Sequence, residues 1–346
     1  MLRNSPQYGH VDVCRGLIDR SYALRHDDPA RMLDLALLAV RSAGKLQTGS
    51  TLPGFLAADL RASAWLAAAN ALRVNFRWQP ATEALAHADK QQRLGSSDPM
   101  LAARAAAYRG ALLADQSHFE EAIQELRRAH HLAASVGDGQ LASETMVALG
   151  RIEVLSGQTE TGIRTLKKVL LSLEPGLDSR LLVATIQALA RALEIKGLVR
   201  EAVAVLREAM PLLDRITDHG IVWRVRWFEG YLLAKLGHYA AAQPIFELVR
   251  QAALAKGQLY DAVSVALDLA ALCLRSGRLD RLEELFEQMA ATFTSERIHP
   301  EARRALSRLT SSAGVRGLDL ETLEKVRGKV EQARRYRRQP AGAARS

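Results

Sequence analysis

Along residues 185–210, TIQALARALEIKGLVREAVAVLREAM, apolar side chains return every three or four positions on both sides of Gly197, with charged residues between them. That period is the signature of two amphipathic helices, and the glycine marks the turn that joins them. Glycine recurs at Gly157, Gly237, Gly277 and Gly317, a spacing of forty residues, and Ser117 holds the same place one period earlier. Seven residues before each turn stand Gly110, Gly150, Ala190, Gly230 and Ala270; five after it stand Ala122, Gly162, Ala202, Ala242 and, less faithfully, Leu282. Small residues at these two places let paired helices approach closely. Nine past the turn, Leu126, Leu166, Leu206, Phe246 and Phe286 are expected to fill the space between adjacent pairs.

The pattern predicts helix pairs over 100–138, 140–178, 180–218, 220–258 and 260–298, separated by the breakers VGDGQ, EPGLDS, TDHG and AKGQ. Residues 57–95 read as a worn copy in which Arg77 replaces the turn glycine and Thr82 the alanine, as befits a repeat near the end of a stack. Residues 300–337 read as a last pair that keeps Gly317 but whose second helix is polar and basic. Upstream, VDVCRGLIDRSYAL and PARMLDLALLAVRSAGKL also have helical spacing, with Asp28 and Pro29 as N-cap and first helical residue. The resulting organisation is an N-terminal helical cap at 1–50, repeats at 57–298, basic capping helices at 299–338 and a disordered tail at 339–346.

These hairpins resemble the tetratricopeptide-repeat (TPR) family, which has a small residue midway along its first helix, glycine near the turn and alanine early in its second. TMVALGRIEVLSGQTETGIRTLKKVL, TIQALARALEIKGLVREAVAVLREAM and WFEGYLLAKLGHYAAAQPIFELV carry the likeness best, and it spans residues 57–335. The period departs from the family's usual unit of about 34 residues. Forty residues also fit HEAT-type repeats, although the small-residue signature argues against them. The resemblance implies an all-α, right-handed α-solenoid of TPR-like hairpins whose first helices line a concave face.

The chain has 346 residues, 48% hydrophobic, 25% charged and 5% aromatic, a balance rich in Ala and Leu that favours helix over strand. No apolar run reaches the roughly 18 residues of a membrane span, and the N-terminus lacks a signal-peptide pattern, so a cytoplasmic protein without membrane contact is expected. Cys14 and Cys273 each lie among apolar helical residues and read as buried packing groups. No phosphate loop, metal-binding HExxH, GxSxG elbow or Cys/His cluster is present, so no catalytic residue, metal site or cofactor is assigned. GDGQLA at 137–142 reads as a linker, and His130 and His131 as surface residues on different sides of a helix.

Binding remains. On the resemblance, groove positions fall about 13, 10, 6 and 2 residues before each turn, and supply Arg104, Arg151, Arg191, Arg224, Trp227, Tyr231, Lys235 and Arg275 against the acidic Glu144 and Asp115. Arg151 and Arg191 occupy equivalent places in neighbouring repeats and suit bidentate contact with a carboxylate or phosphate. Trp223, Trp227 and Tyr231 form a stripe suited to a partner's apolar side chain or to core packing; the arginines equally suit a solvated wall, Arg191 pairing with Glu194. The family's carboxylate clamp also uses asparagines, absent from these groove positions.

The expected activity is therefore a non-enzymatic scaffold holding a partly acidic protein or peptide segment. Similar repeats in bacterial regulators and in stress or defence systems imply a regulatory role. A second reading comes from the C-terminus. From Arg297 to Ser346 there are 13 Lys+Arg against 5 Asp+Glu, a net of +8 of the whole chain's +9. Arg334, Arg335, Arg337 and Arg338 on that basic helix are the candidate contacts for a nucleic-acid partner, against a solvated cap as the plainer use.

Overall fold

The computed structural model describes residues 10–25, 28–49, 52–173, 179–214, 216, 219–310 and 317–338, and every regular element among them is helical. The chain divides into two units, Met1–Lys196 and Gly197–Ser346, at the turn that follows the ninth helix and so within the predicted repeat region. In the first unit α1 (Val11–Ala23) and α2 (Pro29–Gly44) precede α3 (Gly54–Val74), α4 (Trp78–Gln92), α5 (Pro99–Asp115), α6 (Phe119–Ser135), α7 (Gly139–Leu155), α8 (Thr159–Ser172) and α9 (Ser179–Ile195). The second holds α10 (Val199–Leu213), α11 (His219–Lys235), α12 (Tyr239–Ala255), α13 (Leu259–Arg275), α14 (Leu279–Phe293), α15 (Pro300–Ser307), a 3-10 turn at Arg308–Thr310, and α16 (Leu320–Arg338).

The forty-residue period is two equal halves. Helices α5, α6, α7, α9, α11, α12 and α13 each span 17 residues. Gly157, Gly197, Gly237 and Gly277 close the predicted turns with φ of 88°, 87°, 80° and 67°, a left-handed conformation that costs glycine little. Twenty residues away, the alternate turns are made by the same device at Ser97, Gly137 and Gly257, with φ of 63°, 76° and 66°. GDGQLA is therefore not simply a linker: Gly139 begins α7, and the Asp138 carboxylate caps it by accepting from the Leu141 amide at 2.9 Å.

Two further expectations are corrected. Between α3 and α4 the left-handed residue is Phe76 (φ 59°), not Arg77, so the register of this repeat is one residue earlier than predicted. Buried Ala69, Ala81 and Leu85 then occupy its two small places and its large one, while Thr82 is exposed. This copy is faithful rather than worn. The large residue nine past each turn also belongs inside its own hairpin. A Cβ on Gly110, Gly150 or Gly230 would lie 2.8, 2.7 or 2.8 Å from an atom of Leu126, Leu166 or Phe246 respectively. Leu126 additionally joins Ile123 and Leu149 in a cluster between α6 and α7, so it serves both contacts.

The helices form two layers in each unit. In the first, α1, α3, α5, α7 and α9 touch in succession, whereas among the described residues α4, α6 and α8 make their main contacts with odd-numbered helices. In the second, α11 touches α13 and α13 touches α16. Both cysteines are buried; the Cys14 thiol donates to the Ala39 carbonyl at 3.7 Å, and burial pushes it up to about 11. Among the described residues no helix is long and apolar enough to cross a membrane, and no group of three His, Cys, Asp or Glu could hold a metal. The tail at 339–346 lies outside the described residues.

Candidate functional site

Three of the predicted contacts fall on the odd layer of the first unit. Arg104 on α5, Arg151 on α7 and Arg191 on α9 are all exposed, and α5–α7 and α7–α9 are touching pairs. Each arginine stands on a helix that buries its sequence neighbours: Ala103 and Ala105 around Arg104, Leu149 and Gly150 before Arg151, Ala190 and Ala192 around Arg191. Arg191 reaches the carboxylate of Glu194 at 3.5 Å, the intrahelical pair its spacing allows, at a position where solvent screening keeps the pair weak. The acidic groups predicted on the same face are engaged. Asp115 accepts from Arg73 at 2.9 Å and Glu144 from Gln140 at 3.2 Å.

The other five fall in the second unit. Arg224 and Lys235 on α11 and Arg275 at the end of α13 are exposed, whereas Trp227 and Tyr231 are half-buried against the core of this unit. Of the two uses that its spacing permits, core packing is the one seen: Trp223, Trp227 and Tyr231 all lie against this core. Tyr231 stacks on Phe228 with ring centroids 6.0 Å apart, and the Lys235 ammonium lies 5.6 Å from its ring centre. Lys256 stands 4.6 Å over Trp223. The Trp227 indole N–H is committed: it donates to Asp268 Oδ2 at 2.6 Å.

Asp268, on α13, was not visible as a functional residue in the sequence. Its other oxygen takes Arg327 Nη2 of α16 at 2.6 Å, and one helical repeat away Asp261 takes Arg334 Nη2 at 2.6 Å. Asp261 and Asp268 are seven apart on α13 as Arg327 and Arg334 are on α16, and the crossed order of pairing sets the two helices antiparallel. Leu323, Val326, Val330 and Ala333 are buried on α16 at steps of three and four, the seam of a helix packed along a neighbour. Burial pushes the Asp268 carboxyl above the ordinary aspartate value, against the pull of Arg327 and of the Trp227 and Arg327 hydrogen bonds.

The basic C-terminal helix thus keeps a solvated polar face, with Glu321, Lys325, Lys329 and Gln332 exposed, but is pinned by its apolar seam and two ion pairs. It takes the next place in the odd layer after α13, with α15 against its other side. The signal for this was present, since heptad-spaced acids on one helix and heptad-spaced arginines on another are complementary. Net charge alone hides it. Of the four arginines proposed for nucleic acid, Arg334 is held by Asp261, and the side chains of Arg335, Arg337 and Arg338 lie outside the described residues.

Comparison with known proteins bears on the fold. No protein-family model and no curated relative matches the sequence. Among solved structures, a Rap protein complexed with Competence and Sporulation Factor superposes with a TM-score of 0.62 at 14% identity, over 94% of this chain and 88% of that one. The apo form of the quorum sensor NprR from B. thuringiensis gives 0.59 at 14% identity, over 94% and 97%. Aspartyl phosphate phosphatase F from Bacillus subtilis gives 0.58 at 15% identity, over 93% and 85%. The repeats are TPR-like, and the chain is an all-α assembly of TPR-like helical hairpins.

Proposed function

We propose that the chain is a non-enzymatic interaction module that holds a segment of a partner protein or a peptide against the odd-helix layer of its first unit, in a regulatory role. The observation that carries the reading is the row of exposed Arg104, Arg151 and Arg191 on successively touching helices, with the nearby Asp115 already neutralised by Arg73. Such a row attracts a partner segment bearing carboxylates or phosphates. The fold supports it too: structures of like fold include a Rap protein bound to Competence and Sporulation Factor and a quorum sensor. One neighbour is a phosphatase, but no constellation of nucleophile and base in this sequence parallels such an activity.

In the second unit Tyr231, Lys235, Arg224 and Arg275 remain candidate contacts, while Trp227 is a positioning residue for Asp268. Of the four arginines of the nucleic-acid reading, Arg334 is engaged with Asp261, so that reading rests on Arg335, Arg337 and Arg338.

The test is capture of partners from lysate of the source cells by the full chain, by an Arg151→Glu/Arg191→Glu variant and by a chain without residues 335–346, a cut that spares the seam and ion pairs of α16. The double variant is expected to weaken capture at least about a hundredfold, since two charge-assisted contacts of roughly 1.5–3 kcal/mol each are lost. Because Arg191→Glu also removes the partner of the buried Glu194, Arg151→Gln/Arg191→Gln is the control that separates loss of binding from loss of stability, and it is expected to weaken capture too. Partners retained by the double variant and lost with the C-terminal truncation contradict the proposal.

A further inference from the structure

We infer that a cavity between α12, α13 and α14 of the second unit is a binding site for a small zwitterion of the α-amino-acid class. It has a volume of about 230 Å³, below the roughly 300–1,000 Å³ usual for drug-sized ligands, so its occupant is small.

Arg250 of α12 lines this cavity and is 7% exposed. Its guanidinium has only neutral partners, Gln288 Oε1 at 2.9 Å and the Met289 sulfur at 3.5 Å, and its buried Nε–H has none. A guanidinium taken out of water without a counter-charge is a heavy desolvation cost that folded chains ordinarily offset with a carboxylate. The other largely buried cation of this unit, Arg327, is so paired. Burial also lowers the basicity of Arg250, with Glu247 pulling the other way.

The carboxylates on the cavity wall do not meet the need. Glu284 is held by Arg281 at 2.6 Å and by Gln288 Nε2 at 3.3 Å. Glu247, three residues before Arg250 on the same helix, takes an uncharged donor, Gln243 Nε2, at 2.8 Å. One cation and one carboxylate therefore face the cavity from neighbouring places on α12, each hydrogen-bonded to neutral groups, with no hydrogen bond between them to offset their burial beyond the attraction of their charges. Side chains three apart on a helix are neighbours on one face, so the two head groups can address the carboxylate and the ammonium of one small molecule. A simple anion would meet Glu247 and a simple amine would meet Arg250; a zwitterion satisfies both. The rest of the wall, Leu269, Cys273 and Leu285, is apolar and suits a short aliphatic side chain.

The site is independent of the arginine row in the first unit. Thermal unfolding of the full chain is to be followed with L-alanine, L-valine or L-leucine at millimolar concentration, and with acetate and methylamine alone. At least one amino acid is expected to raise the midpoint by about 3 °C, and neither single-charge probe to do so. Arg250→Gln and Glu247→Gln are each expected to abolish that shift; should the first fail to fold, the second, at a less buried position, carries the test. No shift with any of the three amino acids, an equal shift with acetate, or a shift retained in either variant overturns the inference.

Discussion

Replacing Gly162 by alanine is expected to destabilise the first unit by about 1–2 kcal/mol, although Ala122 and Ala242 are accepted at the same place in other hairpins. The difference lies in the partner. Opposite Ala122 and Ala242 stand Gly110 and Gly230, so one side of the crossing provides room; in the α7–α8 hairpin both sides are glycine and the backbones close up. A Cβ on Gly162 would lie 2.6 Å from the Gly150 carbonyl oxygen, 2.5 Å from Val154 Cγ2 and 3.1 Å from the Val154 amide nitrogen. Two of these three are backbone atoms, which yield only if a helix moves. Relief from the conformational freedom of a helical glycine favours the alanine by about 0.5–1 kcal/mol, whereas overpacking a closed contact costs about 1–3 kcal/mol. Overpacking wins. Urea unfolding followed by circular dichroism measures it, and an unchanged or higher midpoint contradicts so close a crossing.

Substituting Asp268 by alanine is expected to release α16 from α13. The carboxylate side chain is 10% exposed and its partner Arg327 21%, and its removal leaves both that guanidinium and the Trp227 N–H without their acceptor. Breaking a fully buried pair from one side costs about 3–5 kcal/mol; partial exposure of Arg327 reduces this to about 2–3 kcal/mol. Amide hydrogen exchange along residues 320–334 is expected to speed up by roughly a hundredfold, since about 1.4 kcal/mol corresponds to a factor of ten. Because burial already raises the Asp268 carboxyl, the charged pair is costly to bury, and Asp268→Leu/Arg327→Leu is expected to recover most of the lost protection. Protection unchanged in Asp268→Ala would mean that the apolar seam of Leu323, Val326 and Val330 holds α16 by itself.

The repeat was legible because its turns impose a backbone conformation that narrows the choice of residue. Four glycines at forty-residue intervals mark positive φ directly. The half-period was harder to read, since Ser97 stands where Gly137 and Gly257 show the rule and the next alternate turns lie outside the described residues. Phe76 was illegible for a physical reason: a bulky side chain rarely adopts φ near 59°, so the register of the α3–α4 hairpin was placed one residue late. The choice of Arg104, Arg151 and Arg191, all of them exposed, came from the positions that the TPR resemblance implied. Engagement of Trp227 and of the basic helix did not, because both depend on Asp268, distant in sequence from its two partners. Arg250 shows the limit most clearly, being an arginine between Val249 and Gln251 on α12 whose buried side chain reaches Gln288 and Met289 of α14, distant in sequence.

The central claim, that the odd-helix layer of the first unit receives the partner, is tested most directly by a photo-crosslinking amino acid placed at position 151 or 191 and, for comparison, at exposed position 128 of the even layer. Irradiation of cells expressing each full chain is expected to give a discrete covalent adduct from 151 and 191 and none from 128. Adducts from 128 alone, or equal adducts from all three, would contradict it.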